Sequence, residues 1–207
     1  MERFVITINR YCGSGGATVG RKIAEKLNIN FYDKEMIDLA SEEHGMLTQT
    51  ADRVRESLFS RISDDEYDGN LITPESSDFA PYQNLFNYQA KVIKDLADKE
   101  NCVVVGRCAD FVLSEHKNLI RVFISADEQT CIQNEMKRLD ITNRQAKERI
   151  CKVNLYRKAY YRHHTGQSWH SVRNYDISLS TSRLSYDECA DMVIEYLNKV
   201  LAKNKDE

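Results

Sequence analysis

Between residues 4 and 27 an apolar run, a cluster of glycines and an amphipathic run follow one another. Phe4-Val5-Ile6-Thr7-Ile8 reads as a buried strand, and Gly13-Ser14-Gly15-Gly16 ends it. Val19, Ile23, Ala24 and Leu27 then recur at helical spacing. A turn of this kind aims backbone N–H groups inward, and the helix N-terminus behind it adds partial positive charge. Side chains would block a phosphate from approaching closely, so small residues are required. Cys12-Gly13-Ser14-Gly15-Gly16-Ala17-Thr18 meets both requirements. Its expected ligand is the phosphate chain of a nucleotide. A tight turn with no ligand is the plain alternative, but such a turn seldom needs three glycines in four positions.

Further along, short apolar runs alternate with helical patterns. Ile29-Asn30-Phe31-Tyr32 predicts a second strand and Lys34 to about Glu43 a helix. Pro81 suits the first position of a helix running to about Lys99. Cys102-Val103-Val104-Val105, Leu119–Ala126 and Tyr175–Ser180 predict three more strands. Asp127 caps one following helix, and Thr142 with Gln145 forms a capping box for another. Ser185 with Glu188 starts the last helix, which carries Tyr186, Cys189, Ala190, Val193, Leu197 and Val200 as a stripe. This alternation predicts an α/β fold with a parallel sheet in a single domain over residues 1–207. Residues 60–80 are acidic and aperiodic, which predicts a mobile insertion.

Composition narrows the function. The 207 residues carry a net charge of −3 and no basic run, so nucleic acid is not the expected partner. No apolar stretch approaches the roughly 18 residues a bilayer requires, and no leader pattern precedes the first strand. None of the six cysteines forms a CxxC pair. They read as small buried hydrophobes with reduced thiols, in a cytoplasmic protein, rather than as a disulfide frame or zinc site. The adjacent His163 and His164 read as contacts to solvent or aromatic rings, so no metal-binding side chains are expected.

The glycine motif departs from the standard GxxxxGK[ST] phosphate loop. With Gly15 as the second motif glycine, Arg10 replaces the first glycine, Gly16 the lysine and Ala17 the magnesium-binding hydroxyl. A shifted alignment on Gly15 and Gly20 would put Gly20 one turn inside the helix. A dinucleotide-binding GxGxxG would need glycine at Thr18, although Asp33 lies 20 residues after Gly13, where a ribose-binding acid would sit.

Three segments together carry a family resemblance: Ile6 to Gly16, Phe31-Tyr32-Asp33-Lys34-Glu35, and Val105-Gly106-Arg107-Cys108-Ala109-Asp110. In this order they resemble the bacterial cytidylate-kinase-like family, a branch of the P-loop nucleoside monophosphate kinases. The resemblance implies a three-layer P-loop NTPase fold: a five-stranded parallel sheet flanked by helices, with a helical lid placed here at residues 142–173. It implies ATP and Mg2+ as cofactors, and transfer of a γ-phosphoryl group to a monophosphate such as CMP or dCMP. Gly106-Arg107 matches the family's Gly-Arg-Asp segment, but Cys108 follows and an acid appears only at Asp110. Lys34-Glu35 and Leu39 also depart from the family's acceptor residues.

The candidate site follows from these positions. Gly13, Ser14, Gly15, Gly16, Ala17 and Thr18 are expected to hold nucleotide phosphates. Arg107, at the carboxyl end of a buried strand, can grip an acceptor phosphate. Asp33 and Asp110 are expected beside it, although Asp33 is also well placed as a helix cap. Arg10, Arg157 and Arg162 are the expected catalytic cations, since phosphoryl transfer depends on positioning and charge rather than on a nucleophilic side chain. Arg10 lies in the loop itself and is the best placed substitute for the absent lysine. Trp169 reads as packing rather than as a base-stacking platform.

Overall fold

A computed structural model describes residues 3–34, 36–37 and 79–204, with side chains in the 79–99 helix described from Phe86 onward. The strands are β1 (Val5–Arg10), β2 (Asn30–Tyr32), β3 (Cys102–Val105), β4 (Leu119–Ser125) and β5 (Ile177–Ser180). The helices are α1 (Gly16–Leu27), α2 (Phe79–Lys99), α3 (Ala109–Val112), α4 (Glu128–Leu139), α5 (Asn143–Thr165) and α6 (Tyr186–Lys203).

The sheet is parallel throughout, in the order β2-β3-β1-β4-β5. All five carboxyl ends therefore lie on one edge, with β1 at the centre. This order separates the fold from the dinucleotide-binding one, where the second strand lies beside the first. Here β3 stands between them, so Asp33 at the end of β2 is two strands away from the glycine turn.

Alternation along the strands assigns the layers. Ile6, Ile8, Val103, Val105, Ile120, Val122 and Ile124 pack on one face against Val19 and Ile23 of α1 and Cys189, Val193 and Leu197 of α6. Each such buried side chain contributes about 1.5–3 kcal/mol. On the other face Val5, Cys102 and Val104 meet Ile93 and Ala97 of α2 together with Ala109. Beside them Phe123 of β4 joins Cys108, Tyr161 and Trp169 in an aromatic cluster under α5.

Side-chain caps fix the helix starts. Asp127 accepts from the Thr130 amide, and both capping boxes are complete. Pro81 falls on the third residue of α2, within the first turn, where a missing N–H costs nothing. β5 begins at Ile177 rather than Tyr175, because Val172–Asn174 form a 3-10 turn that Tyr175 closes. β4 ends at Ser125. Lys34, Met36 and Ile37 are helical, and the rest of the helix expected to about Glu43 lies outside the described residues. So does the 60–80 insertion, apart from residues 79–80, which open α2. Five cysteines are buried, as small hydrophobes should be. Cys151 departs from that expectation, standing exposed on the outer side of α5. No described helix is long and apolar enough to cross a membrane.

Candidate phosphate-binding site

The glycine turn links β1 to α1 at the middle of the carboxyl edge. Gly13 and Gly15 have φ of 80° and 75°, a region that favours glycine. The reason for three glycines differs from the sequence argument. A Cβ on Gly13 would run into the backbone of Cys131, and one on Gly15 into the Tyr186 ring. One on Gly16 would come within 2.5 Å of Arg10 Cβ. The protein's own close packing therefore requires these glycines, whether or not a phosphate approaches. Gly20 lies inside α1, where a Cβ would press on Ile8 and Phe31.

What remains for a ligand is the backbone. The Val19 amide donates to Gly15 O, closing the first helical bond. The amides of Gly16, Ala17 and Thr18 face no acceptor among the described residues, as the first turn of a helix leaves them. The turn is held rigid around them. Asn154 Oδ1 accepts from the Cys12 amide at 2.9 Å, and Asn134 Nδ2 donates to Gly13 O at 2.7 Å. Thr181 Oγ1 donates to Ser14 O at 2.9 Å. Ser14 Oγ reaches Tyr11 O and Ile124 O at 2.9 and 3.0 Å.

Three arginines meet beside this turn. The Arg10 stem crosses Gly16 and its guanidinium reaches Gly106. Arg157 of α5 donates Nη1 to Arg10 O at 2.9 Å. Arg107 lies at the end of β3 with its guanidinium 5.6 Å from the Tyr160 ring centre. Dense surroundings, then the neighbouring Arg157 and Arg107 charges, pull the Arg10 guanidinium well below the ordinary arginine range. Burial also lowers the Arg157 guanidinium. Cations crowded together in this way favour an arriving anion, which would relieve both effects.

The other expected residues fall in several places. Asp33 Oδ2 takes Arg21 at 2.9 Å, and its Oδ1 accepts from the Met36 amide at 3.3 Å, so it serves as a helix cap while lying in the field of Arg10. Asp110 is 5% exposed and accepts from Tyr161 Oη at 2.7 Å and from Asn9. Burial pushes its carboxyl above the usual range. It anchors α5 to the turn after β3. Arg162 is exposed on α5, five residues beyond Arg157, and so points well away from it. His164 stacks on Phe86 at 4.1 Å, and burial is the chief cause that lowers it to about 3. Trp169 is buried against Tyr11 and Phe123, as packing requires.

Asn134, Asn154, Tyr161 and Thr181 were not foreseen. Asn154, Arg157 and Tyr161 follow one another at i, i+3 and i+7, which puts them on one helix face. That spacing was the available signal, and it was obscured by the many other polar residues of α5.

The donors here suit the phosphates of a nucleotide, since three open amides begin α1 and the cations Arg10 and Arg157 lie beside the turn. They do not suit a protein-held Mg2+. Ala17 stands where a hydroxyl ligand would be, Ser14 Oγ is committed to two carbonyls, and Asp33 is held by Arg21. Magnesium would have to arrive on the phosphates with its own water.

The cytidylate kinase-like family matches residues 5–183, which include the turn, Arg107 and α5. The chain belongs to this family. Among solved structures, an uncharacterized protein from Eubacterium ventriosum ATCC 27560 superposes with a TM-score of 0.74 at 28% identity, covering 96% of this chain and 99% of that one. A gluconokinase from Sinorhizobium meliloti 1021 gives 0.54 at 16% identity over 98% and 97% of the two chains. Shikimate kinase from Bacteroides thetaiotaomicron gives 0.52 at 16% identity over 96% and 98%. These two likenesses establish a P-loop kinase-like fold. A curated relative, the S-adenosylmethionine-dependent nucleotide dehydratase of Lacinutrix mariniflava, is 24% identical over 97% of this chain. The chain spans 37% of the length of that relative.

Proposed function

We propose that the protein is a nucleotide-dependent small-molecule kinase, moving the γ-phosphoryl group of ATP to a monophosphate such as CMP or dCMP. The observation that carries this reading is the meeting of Arg10, Arg107 and Arg157 beside the open amides of Gly16, Ala17 and Thr18. The amides would hold the donor phosphates in place of the usual lysine-bearing loop. Arg10 runs from that cradle to Gly106, so it would bridge donor and acceptor. Arg107 would hold the acceptor phosphate. Arg157 would meet the transferring group, and α5 above it would exclude water. Asp33, which lies in the field of Arg10, would accept a hydroxyl of the acceptor.

A second reading is supported by a separate observation. Ser14 Oγ faces away from the cradle and Ala17 offers no hydroxyl. A protein that binds nucleotide and no longer transfers phosphate would look the same. The dehydratase activity named for the Lacinutrix protein is not carried over, because this chain spans only 37% of its length.

The test is thermal shift with ATP-Mg, CMP, dCMP and other monophosphates, followed by assay of ADP formation. Stabilisation by ATP-Mg with ADP formed on one monophosphate is expected. ATP binding with no ADP on any acceptor selects the second reading, and no stabilisation by any nucleotide overturns both.

A further inference from the structure

Glu135 of α4 is a buried carboxylate, only 3% exposed, and it holds two arginines. Arg138, three residues on, grips it with two bonds, Nε to Oε1 at 3.0 Å and Nη2 to Oε2 at 2.7 Å. Arg149 reaches it from α5 through Nε alone, at 2.9 Å. Two guanidinium groups on one carboxylate leave a surplus positive charge. Arg149 can therefore leave without stranding a buried anion, because Arg138 keeps Glu135 neutralised.

Arg149 is also the more weakly held of the pair. It comes from a different helix and makes one bond where Arg138 makes two, and its side chain is 45% exposed against 55% for Arg138. Its two Nη groups make no hydrogen bond among the described residues. Arg149 lies two turns before Arg157 on α5, and both charges act on the Cys12 thiol in the glycine turn. The cations at the turn thus form a chain from Arg107 and Arg10 through Arg157 to Arg149 and Arg138.

We propose that Arg149 is a further phosphate-contacting arginine, held by Glu135 until a triphosphate occupies the cradle and then turned onto that triphosphate through its Nη groups. This rests on the phosphate-site reading above. Arg149 thereby takes a role on the donor side that Arg162, pointing away from Arg157, is not placed to fill. Glu135 is a positioning residue, since it acts through Arg149.

The test measures binding of inorganic tripolyphosphate and of ATP-Mg by calorimetry at several salt concentrations. The proteins are the full chain and its Arg149→Ala, Arg149→Lys, Glu135→Gln and Arg144→Ala variants. Arg144 is 89% exposed on the first turn of α5 and pairs, among the described residues, only with Glu148, so its variant is the control for charge at a distance. Arg149→Ala is expected to weaken tripolyphosphate roughly 10- to 100-fold, the loss of one or two charged hydrogen bonds. Its salt dependence should flatten, and its melting temperature should stay near that of the parent. Arg149→Lys should recover part of the affinity, since it keeps the charge but not the fork. Glu135→Gln should bind at least as tightly as the parent, because the competing carboxylate is gone. If the parent binds tripolyphosphate and Arg149→Ala binds it equally well, the proposal is overturned and the phosphate site stands. If the parent binds neither probe, both fall. Should Arg149→Ala fail to fold, Arg149→Lys matching the parent in affinity and salt dependence, with Glu135→Gln weaker, would equally overturn it.

Discussion

Single residues in the turn serve the fold and, on the proposed function, the ligand as well, and the two roles can be separated. Gly15 has φ of 75° and lies under the Tyr186 ring. Gly15→Ala is expected to cost about 1–2 kcal/mol from the left-handed backbone, with a further cost for displacing Tyr186. In a double-mutant cycle with Tyr186→Ala, chemical denaturation should show the two losses to be less than additive, with a coupling of about 0.5–3 kcal/mol. Simple additivity would mean the ring does not constrain the turn. Asp110 allows a pH test. Burial raises its folded pKa above the unfolded one, so the folded state holds the proton more tightly. Parent stability therefore falls as pH rises from the ordinary aspartate range through the raised one. Asp110→Asn lacks this, so its stability relative to the parent should climb over the same window, measured by urea unfolding from pH 3.5 upward. Gly106, Arg107 and Cys108 are three successive residues with φ of 81°, 57° and 53°. For the two that are not glycine this costs energy, and such strain is found where a side chain must be aimed.

Among the elements, α5 distinguishes this site from a bare turn. Its start was legible in the sequence, in the Thr142–Gln145 capping box; its stop at Gly166, in the left-handed region, came only with the structure. Its position was not legible. Asn154, Arg157 and Tyr161 attach it to the Cys12 amide, the Arg10 carbonyl and Asp110, so it lies across the carboxyl edge. Tyr161→Phe removes one of these ties and one of the donors to the buried Asp110 carboxyl, which should cost about 1–3 kcal/mol. Amide exchange should then quicken along the second half of α5 while α1 and α6 keep their protection. Equal protection throughout would show that the bond does not hold the helix down. His164, on the same helix, gives the opposite pH trend to Asp110. Burial lowers it to about 3, so the unfolded state binds the proton more readily between about 3 and the ordinary histidine value. Its contribution is complete above that value and is lost as pH falls. His164→Phe, which keeps a ring against Phe86, should flatten acid destabilisation between pH 6.5 and 4.

At the scale of the molecule, the strand order decides which residues meet. Because all strands are parallel, the ends of β1, β2 and β3 bring Arg10, Asp33 and Arg107 to one edge although they are far apart in the chain. Inorganic phosphate should raise the melting temperature of the whole protein, and more so at low salt, because salt screens the attraction of an arriving anion to clustered cations. A shift that does not depend on salt would indicate general exclusion of solute rather than a site.

Local chemistry was enough for much of this. The apolar runs, the glycine turn, Asp127 and the two capping boxes depend on neighbours within a few residues, and so the sequence determined the five strands, the starts of the three helices these residues cap and the parallel α/β class. It also marked residues 13–18 as the expected phosphate turn, and the amides of Gly16, Ala17 and Thr18, which face no acceptor among the described residues, lie there. The tertiary structure alone decided why the glycines are there, since Cys131 and Tyr186 press on them from 118 and 171 residues further along. It alone put Asp110 under Tyr161, left Arg162 outside and joined Arg149 to Glu135. Long-range contacts of this kind follow from how helices are laid over a sheet, and no spacing along the chain encodes them.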